Sequence, residues 1–114
     1  MEINTISKEE ATVVSLEGNL DGTTAEFTQE KLLQLLTPNC ELIIDMAKCP
    51  YVSSAGLRVL LMTAKQLTRI GGAGVFAGLS EEVRDVMEMT GFSSIFESYG
   101  TVDEAHEAMK RGTA

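Results

Sequence analysis

Two adjacent serines, Ser53 and Ser54, are the residues of this chain whose type and placement most invite chemistry. They follow an apolar segment, Glu41 to Met46, and a short crossing, Ala47-Lys48-Cys49-Pro50-Tyr51-Val52. They precede a long amphipathic stretch that reads as a helix from about Ser54 to Ile70. A helix start presents free N–H groups and a positive dipole end, so it tolerates an added anion. On physics alone the plainer reading of a serine there is an N-cap. The segment is no G-x-S-x-G nucleophile elbow, because Val52 stands where the first glycine belongs. His106 is the only histidine, and its spacing from Val102 and Met109 puts it at the edge between a helix and the core. Cys40 and Cys49 flank the apolar segment, roughly 30 Å apart if it is extended, too far for a disulfide. Two cysteines and one histidine also make a poor zinc site, so both cysteines read as small buried hydrophobes. Gly71-Gly72-Ala73-Gly74 follows a helix and leads into a strand, the reverse of a phosphate-cradling loop, and reads as a helix stop and turn.

The elements that must position the serines follow from periodicity. Ile3 to Ser7 and Ala11 to Glu17 form β-prone runs around Lys8-Glu9-Glu10, which predicts a hairpin. Thr23-Thr24-Ala25-Glu26 reads as a capping box opening a helix through Leu32, Leu33 and Leu36 to Thr37-Pro38. The continuous apolar run of Glu41 to Met46 predicts a central strand covered on both faces. Val75 to Leu79 reads as a further strand, and Ser80 opens a helix with Val83, Val86, Met87 and Thr90 on one face, closed by Gly91. Ile95 to Tyr99 reads as a short strand, Thr101 caps a last helix, and the final residues from Arg111 read as a frayed tail. Strands alternating with helices imply parallel crossovers, with the hairpin adding an antiparallel edge. The expected fold is α/β: one domain over residues 1–114 with its core at about 3–110, a mixed four- to five-stranded sheet and about four helices.

Within the long helix, Leu57, Leu60, Leu61, Ala64 and Leu67 form the predicted core stripe. The opposite face carries Arg58, Met62, Lys65 and Arg69, a basic face with an exposed methionine. It stands out on a chain with nine Lys+Arg, seventeen Asp+Glu and a formal net charge of −8. That charge argues against nucleic-acid binding and against anionic membrane surfaces. No apolar run approaches bilayer length, and Met1-Glu2-Ile3-Asn4 has neither the basic nor the apolar region of a secretion signal, so a cytoplasmic location is expected.

Tyr51-Val52-Ser53-Ser54-Ala55-Gly56-Leu57 resembles the phosphorylation motif of STAS-domain anti-anti-sigma factors, usually Asp-Ser-(Ser/Thr)-Gly-Leu. Gly18-Asn19-Leu20-Asp21 is similar to the Gly-Glu-Leu-Asp loop of that family, and the Gly-Gly after the second helix and Met89-Thr90-Gly91-Phe92 match as well. The resemblance covers roughly residues 3 to 110. Ser53 stands where the family has Asp, Ala55 where it has a second Ser or Thr, and Asn19 where it has Glu. Aligned on Gly56, the phosphorylated serine falls on Ser54, with Ser53 as the competing hydroxyl.

The resemblance implies an anti-sigma factor antagonist in a partner switch. The unmodified protein binds an anti-sigma factor that is also a serine kinase, phosphorylation at Ser54 breaks the complex, and a serine phosphatase restores it. In that scheme the chain is a ligand and substrate, not an enzyme, with no cofactor or metal of its own and no direct nucleic-acid or membrane partner. Asp21, Ser53, Ser54, Gly56, Arg58 and Met62 are the expected partner-binding residues. The alternative is a docking subunit of a membrane transport assembly, in which Ser54 is only a cap. A phosphoryl carrier is a remote third class, since such proteins use histidine or cysteine and His106 lies in the wrong setting.

Overall fold

The computed structural model describes residues 1–91 and 96–111 of the 114-residue chain. Strand β1 (Glu2–Lys8) turns through Glu9 and Glu10 into β2 (Ala11–Glu17). Helix α1 (Ala25–Gln34), strand β3 (Glu41–Lys48), helix α2 (Ser54–Arg69) and strand β4 (Ala73–Ala77) follow. Helix α3 (Glu81–Met89), strand β5 (Ser98–Tyr99) and helix α4 (Val102–Lys110) complete the order. The five strands form one sheet in the order β1-β2-β3-β4-β5, antiparallel only at the β1–β2 edge. This is the expected mixed α/β architecture.

The sheet separates two apolar layers. On one face α1, α2 and α3 place Leu32, Leu60, Leu67 and Met87 against Val14, Leu16, Ile44, Met46 and Phe76. On the other, Ala105 and Met109 of α4 cover Val13, Ile43, Val75 and Ala77. Strand β3 is apolar without alternation because it is buried from both sides, with Leu42, Ile43 and Ile44 at most 1% exposed. Each such side chain contributes about 1.5–3 kcal/mol by leaving water.

Several local expectations shift for identifiable reasons. The predicted capping box does not form: Thr24 is the N-cap of α1 but makes no cap bond, because its hydroxyl donates to Asn19 O at 2.9 Å and accepts from Asp21 N at 3.0 Å. Helix α1 ends at Gln34, before Leu36. Strand β4 begins at Ala73 and includes Gly74, where a Cβ would lie 2.6 Å from Phe96 Cζ; the ring takes the place of a side chain. Val86 is exposed although Val83 and Met87 of the same helix are buried. Cys40 is only half-buried, whereas Cys49 is buried; both are free thiols, and burial raises the pKa of Cys49. His106 is buried at the α4–core edge as expected, with Nε2 3.7 Å from Glu9 Oε2. Of the predicted Ile95–Tyr99 strand, Ser98 and Tyr99 pair with β4; Ile95, Phe92 and the tail from Gly112 lie outside the described residues.

Candidate functional site at the start of helix α2

Two loops meet at one end of the sheet. Leu20 and Val52 form a parallel bridge, with Leu20 N donating to Tyr51 O at 3.0 Å and Ser53 N donating to Leu20 O at 2.9 Å. The loop after β2, which carries Asp21, is thereby fastened to the start of α2. Leu20 is fully buried and Val52 nearly so, so the bridge is anchored from below by the core. Gly56 permits the approach: a Cβ there would lie 2.5 Å from Leu20 O and 2.8 Å from Leu20 Cγ. Leu20 and Val52 are the site residues that motif reading passes over; an apolar residue inside the polar run Gly18-Asn19-Leu20-Asp21-Gly22 was the available signal.

The two serines divide the work. Ser53, extended at φ −84° and ψ 178°, is the N-cap, and its hydroxyl accepts from Gly56 N at 3.2 Å. Ser54 is the first residue inside the helix rather than just outside it. Its side chain is exposed, and its hydroxyl bonds to no described residue. The cap role considered for Ser54 therefore belongs to Ser53. Leu57 N donates to Ser53 O at 2.8 Å, while the Ser54 and Ala55 amides find no acceptor among the described residues. No acidic side chain stands in the first turn of α2.

Asp21 organises the neighbouring loop. Its Oδ1 accepts from Thr23 Oγ1 at 2.7 Å and from Thr23 N at 2.9 Å, and its carbonyl accepts from Thr24 N and Ala25 N. The hydrogen bond from the Thr23 hydroxyl, followed by that from the Thr23 amide, lowers the carboxyl pKa and keeps the group anionic.

Along α2 the buried side is Gly56, Val59, Leu60, Thr63, Ala64 and Leu67, while Leu57 and Leu61 of the predicted stripe are only partly covered. The burial is rotated because α2 rests on the sheet and also lies beside α1. Met62 falls in that second seam. It is half-buried rather than exposed, and its Sδ accepts from Gln29 Nε2 of α1 at 3.1 Å. Arg58, Lys65 and Arg69 are exposed, as expected. Asp21, Ser53, Ser54 and Gly56 thus share one end of the molecule. Arg58 lies one turn further on, and Met62 belongs to the α1–α2 contact.

The model of the STAS domain family matches residues 2–105, and the chain belongs to that family. BtrV of Bordetella bronchiseptica, named as an anti-sigma factor antagonist, is 35% identical over 99 residues, which are 86% of this chain and 85% of that protein. The anti-sigma-B factor antagonist of Bacillus subtilis is 30% identical over 84 residues, covering 74% and 77% of the two chains. The crystal structure of an anti-sigma factor antagonist from Mycobacterium paratuberculosis superposes with a TM-score of 0.82 at 24% identity over 96% of this chain and 93% of that one, a likeness of fold.

Proposed function

We propose that this chain, acting as a single STAS module in the cytoplasm, is an anti-sigma factor antagonist whose binding is switched by phosphorylation of Ser54. Unmodified, it binds an anti-sigma factor that is also a serine kinase, and the sigma factor is released. The kinase then transfers the γ-phosphoryl group of ATP to Ser54 Oγ: the new O–P bond forms, the β–γ bridge breaks, ADP leaves and the hydroxyl proton passes to the kinase. A serine phosphatase returns the hydroxyl by hydrolysis. The chain serves as ligand and substrate rather than catalyst.

One observation carries the reading: Ser54 offers an exposed hydroxyl with no hydrogen-bond partner among the described residues, at a helix start whose capping is done by Ser53. A phosphoserine adds about −1.5 to −2 charges. Within the domain, the dipole and open amides of α2 stabilise that anion by about 0.3–1 kcal/mol, so the fold barely responds. Pressed unpaired against a protein surface, the same anion costs several kcal/mol, and each 1.4 kcal/mol is tenfold in affinity. The modification therefore acts on binding and not on folding. The docking-subunit alternative, which needs Ser54 only as a cap, is not favoured where Ser53 holds that role.

Phosphopeptide mapping after incubation with the anti-sigma kinase, ATP and Mg²⁺ tests the assignment. Label is expected on Ser54 in the parent and in Ser53→Ala, and none in Ser54→Ala. Full labelling of Ser54→Ala with none on Ser53→Ala would transfer the role to Ser53.

A further inference from the structure

We propose that the outer face of α2 docks an acidic surface of the partner protein, and that Arg58, Lys65 and Arg69 are its contacts; this rests on the partner-binding reading above and names the partner's chemistry. Helix α2 carries three of the chain's nine Lys and Arg and none of its seventeen Asp and Glu. The three cations are spaced i, i+7, i+11, which places them within an arc of about 40° over about 16 Å of helix. All three are exposed, and none forms an ion pair with a described residue. Of the six cations elsewhere, three have local partners, Lys8 with Asp103 at 3.3 Å, Lys48 with Glu17 at 3.9 Å and Lys110 with Glu107 at 3.8 Å, and Lys31 lies over the Phe27 ring; on α2 all three are open and aligned on one face. Even Glu26 and Glu30 of the neighbouring α1 leave the α2 cations unpaired.

A positive stripe on an acidic molecule orients approaching charge. An acidic protein face is drawn to it, while a long polyanion such as nucleic acid also meets the rest of a molecule whose net charge is −8 and is repelled. The stripe begins one turn after Ser54. A phosphate on Ser54 lies i, i+4 from Arg58, with the anion on the N-terminal side, the favourable order on a helix. Its charge offsets about two of the three cations. The same modification that obstructs the end of α2 thus also discharges the face beyond it.

The test uses the full isotope-labelled chain with three probes: an oligoglutamate peptide, single-stranded oligothymidylate, and phosphatidylglycerol vesicles. Amide shifts from the peptide are expected along Arg58–Arg69, weaker in the Ser54-phosphorylated protein and absent in Arg58→Glu/Lys65→Glu/Arg69→Glu. Peptide shifts mapping elsewhere, or stronger binding of oligothymidylate or vesicles, would overturn the proposal. The second arm measures association with the anti-sigma kinase at low and high salt. The triple variant should associate at least tenfold more slowly with little salt dependence, and Lys65→Gln/Arg69→Gln, remote from Ser54, should show a smaller loss in the same direction. Parent-like rates in both variants would overturn the stripe while leaving the Ser54 switch standing. A kinase that binds neither parent nor variant would overturn the Ser54 reading, and the peptide map would then decide the stripe by itself.

Discussion

At the start of α2 the Ser53 hydroxyl accepts from Gly56 N at 3.2 Å, and at the start of α3 the Ser80 hydroxyl accepts from Val83 N at the same distance. Beyond the shared cap the two helices diverge. Helix α3 fills its first turn with Glu81 and Glu82, so the positive end of the helix is already met by its own carboxylates. Helix α2 has Ser54 and Ala55 at the corresponding places and no acid. Three residues past the cap, α3 buries the Val83 side chain, whereas α2 has Gly56 with the Leu20 backbone in the space of a Cβ. The same capping device thus closes one helix end and leaves the other open to an anion, with the Asp21 loop drawn in beside it. Helix α4 follows the α3 pattern, with Asp103 and Glu104 behind its Thr101 cap.

The largest effect expected from breaking this contrast is at Gly56. Gly56→Ala forces a methyl group into the Leu20 carbonyl and should cost about 1–3 kcal/mol in urea unfolding, through overpacking. It should also loosen the Asp21 loop, seen as faster amide exchange at Leu20 and Ser53. Next comes Ser54→Asp, which should weaken binding to the anti-sigma partner at least tenfold by calorimetric titration. Its melting temperature should stay level or rise slightly, since a carboxylate at that position suits the helix end. Ser53→Ala and Ser80→Ala each remove a cap bond and should each cost about 1 kcal/mol. Only the first should also change the rate of Ser54 phosphorylation. Giving α2 the acid that α3 already has, through Ala55→Glu, should add about 0.3–1 kcal/mol and slow phosphorylation of Ser54.

The smallest effect is a pH dependence at Asp21. Its folded-state pKa lies below the unfolded value, so its contribution is fully present above the unfolded pKa and disappears as pH falls through the folded one. Asp21→Asn should therefore flatten the acid side of the stability curve and leave its slope near neutral pH unchanged, as urea unfolding across that range would show.

The order of strands and helices, the hairpin, the serine and threonine caps at Ser80 and Thr101 and the two-sided burial of β3 are legible in the chain itself. These features depend on residues within one or two turns of each other, where periodicity and capping chemistry operate. The same local reading places Ser53 and Ser54 at the mouth of α2 and the basic residues on its outer side. Other contacts decided the rest. Within its own loop, Thr24 could not cap α1 once Asn19 and Asp21, three to five residues away, had taken its hydroxyl, a competition that periodicity does not register. Met62 could not stay exposed once α1 lay alongside α2 and Gln29 reached its sulfur. The meeting of Asp21 with Ser53 and Ser54 depends on the Leu20–Val52 bridge and on the absence of a side chain at Gly56. A sequence pattern registers which face of an element is apolar, but a neighbour more than thirty residues away determines which outward positions are covered, as Gln29 does for Met62, and which loops meet, as Leu20 and Val52 do.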